Sequence, residues 1–150
     1  VSVGMMEHVG PKNFKEFFTK CDELLVDDGI MLHHLISSTV PQSNTDPFFN
    51  RYIFPGGVIP SPGQISNAAE GLFVLEDTHN FGLDYETTLL HWHKNINSKW
   101  DEIPQYDLRF RRMWNYYLLA SAAGFKARHL HLNQYVFRKG GVLAPYLPVR

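Results

Sequence analysis

At 150 residues the chain has room for one domain, and a compact fold of this size buries roughly 70% of its extended surface. Its 14 basic and 15 acidic residues leave a formal net charge of −1, which argues against a dedicated nucleic-acid binder. The single Cys21 excludes an internal disulfide, and no apolar run approaches the roughly 20 residues of a membrane-spanning helix. The chain opens with an apolar run, Val1–Met6, that stops at Glu7 and His8. This predicts a buried parallel strand delivering polar groups at its carboxyl end, where ligands sit in open α/β sheets. Gly10-Pro11 then opens a helix with Phe14, Phe17, Phe18, Cys21, Leu24 and Leu25 on one apolar face. Cys21 reads as a small core residue of that face. Asp27-Asp28-Gly29 ends the helix. Ile30–Ile36 follows as a second strand, with Ile30, Leu32, His34 and Ile36 on one side and Met31, His33 and Leu35 on the other. Strand, helix, strand implies a right-handed parallel crossover.

Residues 37–62 break the rhythm with five prolines and Gly56-Gly57, yet they carry Phe48, Phe49, Tyr52, Ile53 and Phe54. A long connection rich in both turn residues and aromatics reads as a lid or binding loop, spanning 38–62, or as a loop that packs its aromatics on the core. Ser61-Pro62 predicts a helix N-cap followed by Pro at the first position, and Gly71 ends that helix. Leu72–Asp77 alternates as a strand. Asp84 is placed to cap a helix bearing Tyr85, Leu89, Trp92, His93, Ile96 and Trp100. Beyond Pro104, Phe110, Met113, Trp114, Tyr117, Leu118, Ser121, Ala122 and Phe125 predict another. His129–Phe137 reads as a last strand, and 140–150 shows no period.

Eight histidines make chance adjacency common. His91 and His93 are neighbours on a helix and do not face each other. His129 and His131 share a strand face, but no further ligand spacing supports a metal. Nucleophile-elbow, P-loop and zincin patterns are missing, as is a Gly-x-Gly after a strand. Glu7 with a histidine from the end of the next strand can form an acid/base or anion site, or equally a buried Glu–His pair that only supports the fold.

Five stretches, VSVGMMEHVGPKNF, DDGIMLHHLIS, RYIFPGGVIPS, EDTHNFGLDYETTLLHW and RFRRMWNYYLLASAAGFKAR, closely resemble the carboxyl-terminal part of the cyclopropane-fatty-acyl-phospholipid synthase family, and more distantly the mycolic acid cyclopropane synthases. The resemblance implies an α/β, Rossmann-like class I S-adenosylmethionine-dependent methyltransferase fold, matched from its fourth strand onward. With strand order 3-2-1-4-5-7-6, this part would hold 4-5-7-6, a partial catalytic domain over 1–150 without the amino-terminal cofactor half, and inactive alone. It implies transfer of a methyl group from S-adenosyl-L-methionine to the cis double bond of an unsaturated phospholipid acyl chain, with bicarbonate as base. By motif, Glu7, His34 and Tyr85 match the catalytic residues, and with a main-chain group of Ile36 they would hold bicarbonate. Phe54 of the F-P-G-G loop would face the cationic intermediate, the helix of Trp114 and Tyr117 would accept the acyl chain, and Gly4 would lie close to the cofactor. Ser121 stands where some members carry a cysteine. A methyltransferase of the same fold with another substrate, or a non-catalytic fragment, are the alternatives. The bare apolar edge 1–6 implies a homodimer or other self-association, and the substrate implies a cytoplasmic location at the inner membrane surface.

Overall fold

The computed structural model describes residues 1–140, 143 and 146–148 and lays its strands in one sheet. The strands are β1 (Ser2–Val3), β2 (Ile30–Ser38), β3 (Phe73–Asn80) and β4 (Leu130–Lys139), in the order β1-β2-β4-β3. This matches the expected 4-5-7-6. β1 runs parallel to β2, with Ser2 opposite His33 and Val3 opposite His34. β3 runs antiparallel to β4, from Phe73 opposite Lys139 to Asn80 opposite Asn133.

The expected strand Val1–Met6 is corrected. Pairing stops after Val3 because Gly4 takes a left-handed φ of 62°, a conformation that cannot extend a strand and that glycine adopts without steric cost. The Gly4 N–H still reaches the His34 carbonyl at 2.9 Å. The chain then coils into a one-turn helix, α1 (Met6–Val9). Only Met6 of the opening run is buried; Val1, Val3 and Met5 are exposed, because β1 lies at the sheet edge.

The larger of two compact units comprises Val1–Asn80 and the chain from His131. Its core lies between the sheet and two helices, α2 (Phe14–Leu24) and, further along, the one over Pro62–Ala69. Pro11 opens a 3-10 turn before α2 rather than α2 itself. Phe14 and Phe18 are buried and Phe17, Cys21 and Leu25 pack against the core, but Leu24 points outward. Phe18 is the hub. Its ring meets Phe17, His33, Phe73 and Phe137 at centroid distances of 5.5, 5.7, 6.1 and 5.3 Å, each steeply inclined. Such edge-on pairs add about 0.5–1.5 kcal/mol each beyond area burial.

The connection 38–62 is not purely loop. It contains α3 (Pro47–Tyr52), whose N-cap Asp46 accepts from the Phe48 and Phe49 N–H groups at 2.9 and 3.4 Å. Pro47 starts this helix instead of breaking it. α4 (Pro62–Ala69) begins as expected: the Ser61 hydroxyl accepts from the Gln64 N–H, and the Gln64 side chain accepts from the Ser61 N–H.

The second unit, Phe81–Leu130, pairs α5 (Gly82–Asn97) with α6 (Leu108–Lys126). Asp84 does not cap α5; it lies in its first turn, where a carboxylate favours the positive end of the helix dipole. Asp107 caps α6 by accepting from the Phe110 N–H at 2.8 Å. Asn97 donates to the Asn115 Oδ1 at 2.7 Å, tying the two helices. Arg128, with a φ of 61°, separates α6 from β4, so His129 precedes the strand.

His33 is fully buried between Phe17 and Phe18, with neither ring nitrogen hydrogen-bonded among the described residues. Burial, reinforced by neighbouring His34, pushes its pKa down from 6.5 to about 4. An unfolded chain binds this proton near pH 6.5, so the contribution is complete above 6.5 and disappears as pH falls to about 4. Urea titrations at pH 7 and 4.5 should show His33→Leu removing an acid-linked loss of up to about 3 kcal/mol.

Candidate active site

Three segments of the larger unit converge on Glu7: α1, the carboxyl end of β2, and the turn after α3. The Ile36 N–H donates to Glu7 Oε1 at 2.7 Å, and the Val58 N–H donates to the Glu7 carbonyl at 2.8 Å. One residue thus joins parts of the chain 29 and 51 positions away. The second carboxylate oxygen, Oε2, is buried and has no partner among the described residues. A buried acceptor left unpaired is costly unless something supplies a donor.

His34 lies on β2 with its ring partly exposed, whereas His33 points into the core, so the alternation read from the sequence separates them correctly. The Nδ1 of His34 meets Gln134 Nε2 at 3.2 Å. With the amide as donor, Nδ1 accepts, and a neutral ring carries its proton on Nε2, ready to donate. Gln134 was not foreseen; its signal was a polar residue inside an apolar strand.

Phe54 opens the turn Phe54-Pro55-Gly56-Gly57. The Gly57 N–H donates to the Phe54 carbonyl at 3.0 Å, and Gly56 has a φ of 74°. Pro at the second position and a positive φ at the third form a type II turn. The Gly56 N–H donates to Asn50 Oδ1 at 2.8 Å, anchoring the turn to α3. The Phe54 ring stands 6.0 Å from that of His8, at 65° to it, and is 41% exposed. The ring is therefore partly exposed, next to the residue that follows Glu7.

The remaining expected residues are placed as follows. The Ile36 N–H, the main-chain donor of that residue, is committed to Glu7. At Gly4, no heavy atom lies within 4 Å of where a Cβ would stand. Tyr85, Trp114 and Tyr117 belong to the second unit. There the Tyr85 ring packs edge-on to Phe125 at 5.0 Å and Trp92 at 5.9 Å. Trp114 and Tyr117 lie 5.1 Å apart on α6, and Phe110 stacks on Trp114. Burial, aided by Tyr85, raises the pKa of the Tyr117 hydroxyl, which keeps it protonated.

A buried polar cluster went unread in the sequence. Asn133 donates to the Ser37 hydroxyl at 2.6 Å and to the Tyr135 hydroxyl at 3.1 Å. Asn133 and Tyr135 also line a cavity of about 340 Å³ with Pro62, Ser66, Leu75, Thr78, Asn80 and His131. Among the described residues no group of three His, Cys, Asp or Glu could hold a metal ion.

Removing the carboxylate strands the Ile36 N–H. Glu7→Ala should destabilise the fold by about 1–3 kcal/mol in urea titrations, whereas Glu7→Gln, whose amide oxygen can still accept, should lose less than half of that.

The family model described as mycolic acid cyclopropane synthetase matches residues 1–135. The chain is 50% identical over 141 residues to the cyclopropane-fatty-acyl-phospholipid synthase of Escherichia coli K12, covering 93% of this chain and 37% of that protein. It therefore spans little more than a third of that relative. Among solved structures, the cyclopropane synthase MmaA2 of Mycobacterium tuberculosis superposes with a TM-score of 0.84 at 24% identity, over 92% of this chain and 54% of that one. The mycolic acid cyclopropane synthase CmaA1, complexed with SAH and CTAB, gives 0.82 at 27% identity over the same shares. The sheet order and these superpositions show the α/β fold of the S-adenosylmethionine-dependent methyltransferases in part. On sequence and fold together, the chain belongs to the mycolic acid cyclopropane synthetase family.

Proposed function

We propose that this chain carries the carboxylate and imidazole of an enzyme that methylates the cis double bond of an unsaturated fatty acyl chain in a phospholipid and closes a cyclopropane ring. The observation that carries the reading is the Glu7 carboxylate: one oxygen is fixed by the Ile36 N–H, and the other is buried without a partner among the described residues. The 50% identity to the Escherichia coli synthase supports it.

S-adenosyl-L-methionine would supply an electrophilic methyl group, and the open side of Gly4 suits the approach of a cofactor to the backbone. Bicarbonate, a weak base, would take up the proton that ring closure releases. The residues fit that ion. Glu7 Oε2, without a donor among the described residues, can accept its O–H, and His34 Nε2–H can donate to its oxygens. Ile36 acts mainly by holding the carboxylate in place. Methyl transfer to an alkene leaves a carbocation on the acyl chain. The Phe54 face can stabilise that cation without attacking it. The aromatic run on α6, Phe110, Trp114 and Tyr117, presents apolar surface to the chain.

The test is lipid analysis in an enzyme containing this sequence. Glu7→Gln and His34→Ala should each lower cyclopropane formation about a hundredfold when assayed well below the melting temperature of either variant, the scale of losing one preorganised polar contact. Near-normal turnover in both overturns the bicarbonate assignment. Methyl-branched products in place of cyclopropanes overturn the ring-closing step alone. The reading also includes self-association through the β1 edge, where Val1 and Val3 are exposed. Light scattering should show a dimer or larger species; a monomer removes that element.

A further inference from the structure

We propose that the outward stripe of α6 is the surface by which the protein docks on an anionic phospholipid bilayer. This rests on the reading that the acyl substrate is part of a phospholipid. At 100° per residue, Leu108, Leu119, Arg112, Ala123, Tyr116 and Arg109 fall within an arc of about 100°, a continuous stripe along the helix. All six are exposed: Leu108 is 62%, Tyr116 55% and Leu119 44% accessible. The opposite side, with Leu118, Ser121, Ala122 and Phe125, is buried.

Charge selects the occupant. α6 carries Arg109, Arg111, Arg112 and Lys126 and no acidic residue, although acids outnumber bases in the whole chain. Arg111 is committed inward: its guanidinium donates to the carbonyls of Tyr106 and Trp100 and lies over the Trp100 ring at 5.3 Å. Arg109 and Arg112 remain on the outer face, where two planar donors match phosphate oxygens. Tyrosine and leucine between them suit the boundary of headgroups and acyl chains. A second copy of the stripe would bring like charges together. Among the described residues no helix is long and apolar enough to cross a membrane, so the contact is one of surface.

The probe is vesicle sedimentation with phosphatidylcholine alone and with about a quarter phosphatidylglycerol, an anionic fraction that draws in clustered cations. The chain should bind the anionic vesicles, and Arg109→Glu/Arg112→Glu should reduce binding tenfold or more. Lys12→Glu/Lys20→Glu, an equal charge change on the other unit, should leave it intact. Leu108→Ser/Leu119→Ser should weaken binding at raised ionic strength, where charge attraction is screened. Circular dichroism confirms that each variant folds. No binding by the unaltered chain overturns the proposal, as does equal loss in both charge variants. Cyclopropane formation on detergent-dispersed phospholipid, by an enzyme containing this sequence, reports separately on the function. Turnover there with vesicle binding indifferent to Arg109 and Arg112 sinks the docking surface alone. Absent turnover sinks the substrate reading, while the vesicle data still decide the surface.

Discussion

The geometry around the candidate site depends on Glu7 accepting hydrogen bonds at both ends. Its side chain holds the end of β2 through Ile36, and its carbonyl holds the segment after the Phe54 turn through Val58. Neither bond is local, so the site exists only once the sheet and the connection 38–62 have closed around α1. This also accounts for a partly buried carboxylate held in place on a helix of four residues. Such a helix has little stability of its own. Here the tertiary bonds and the buried Met6 hold it.

Local signals were legible and long-range ones were not. The Ser61-Pro62 start of α4 is local and reads directly, and the structure adds Gln64, which completes a capping box. Asp46-Pro47 carries the same kind of signal, but among five prolines the stretch reads as loop. The apolar character of Val1–Met6 masks Gly4, whose left-handed φ ends the ladder. Alternation along β2 separated His33 from His34, but only packing shows that His33 is the enclosed one. The bonds from Ile36 to Glu7 and from Gln134 to His34 span 29 and 100 residues. No periodicity encodes them: the strand ends point to Glu7 and a histidine as one polar site, but not to the main-chain N–H and the amide that hold them.

The two histidines show how one strand serves two purposes. His33 sits against Phe17 and Phe18 as a bulky aromatic of the core, with no hydrogen-bond partner among the described residues. His34, one residue later on the opposite side, is partly exposed and has a ring oriented by Gln134. The strand's twofold period places an enclosed imidazole and an accessible one next to each other, with the backbone between them.

The turn that presents Phe54 is fixed by its main chain. The Phe54 N–H donates to the Phe49 carbonyl at 2.8 Å, its own carbonyl accepts from Gly57, and the Gly56 N–H is held by Asn50. None of these bonds uses the Phe54 side chain, which projects partly into the open. The backbone of this turn is thereby independent of the ring it carries: a different side chain at position 54 leaves all three main-chain bonds in place and gives up the edge contact with His8. Phe54 is in this sense a natural locus of evolvability, whereas Glu7, bound into three segments, is constrained.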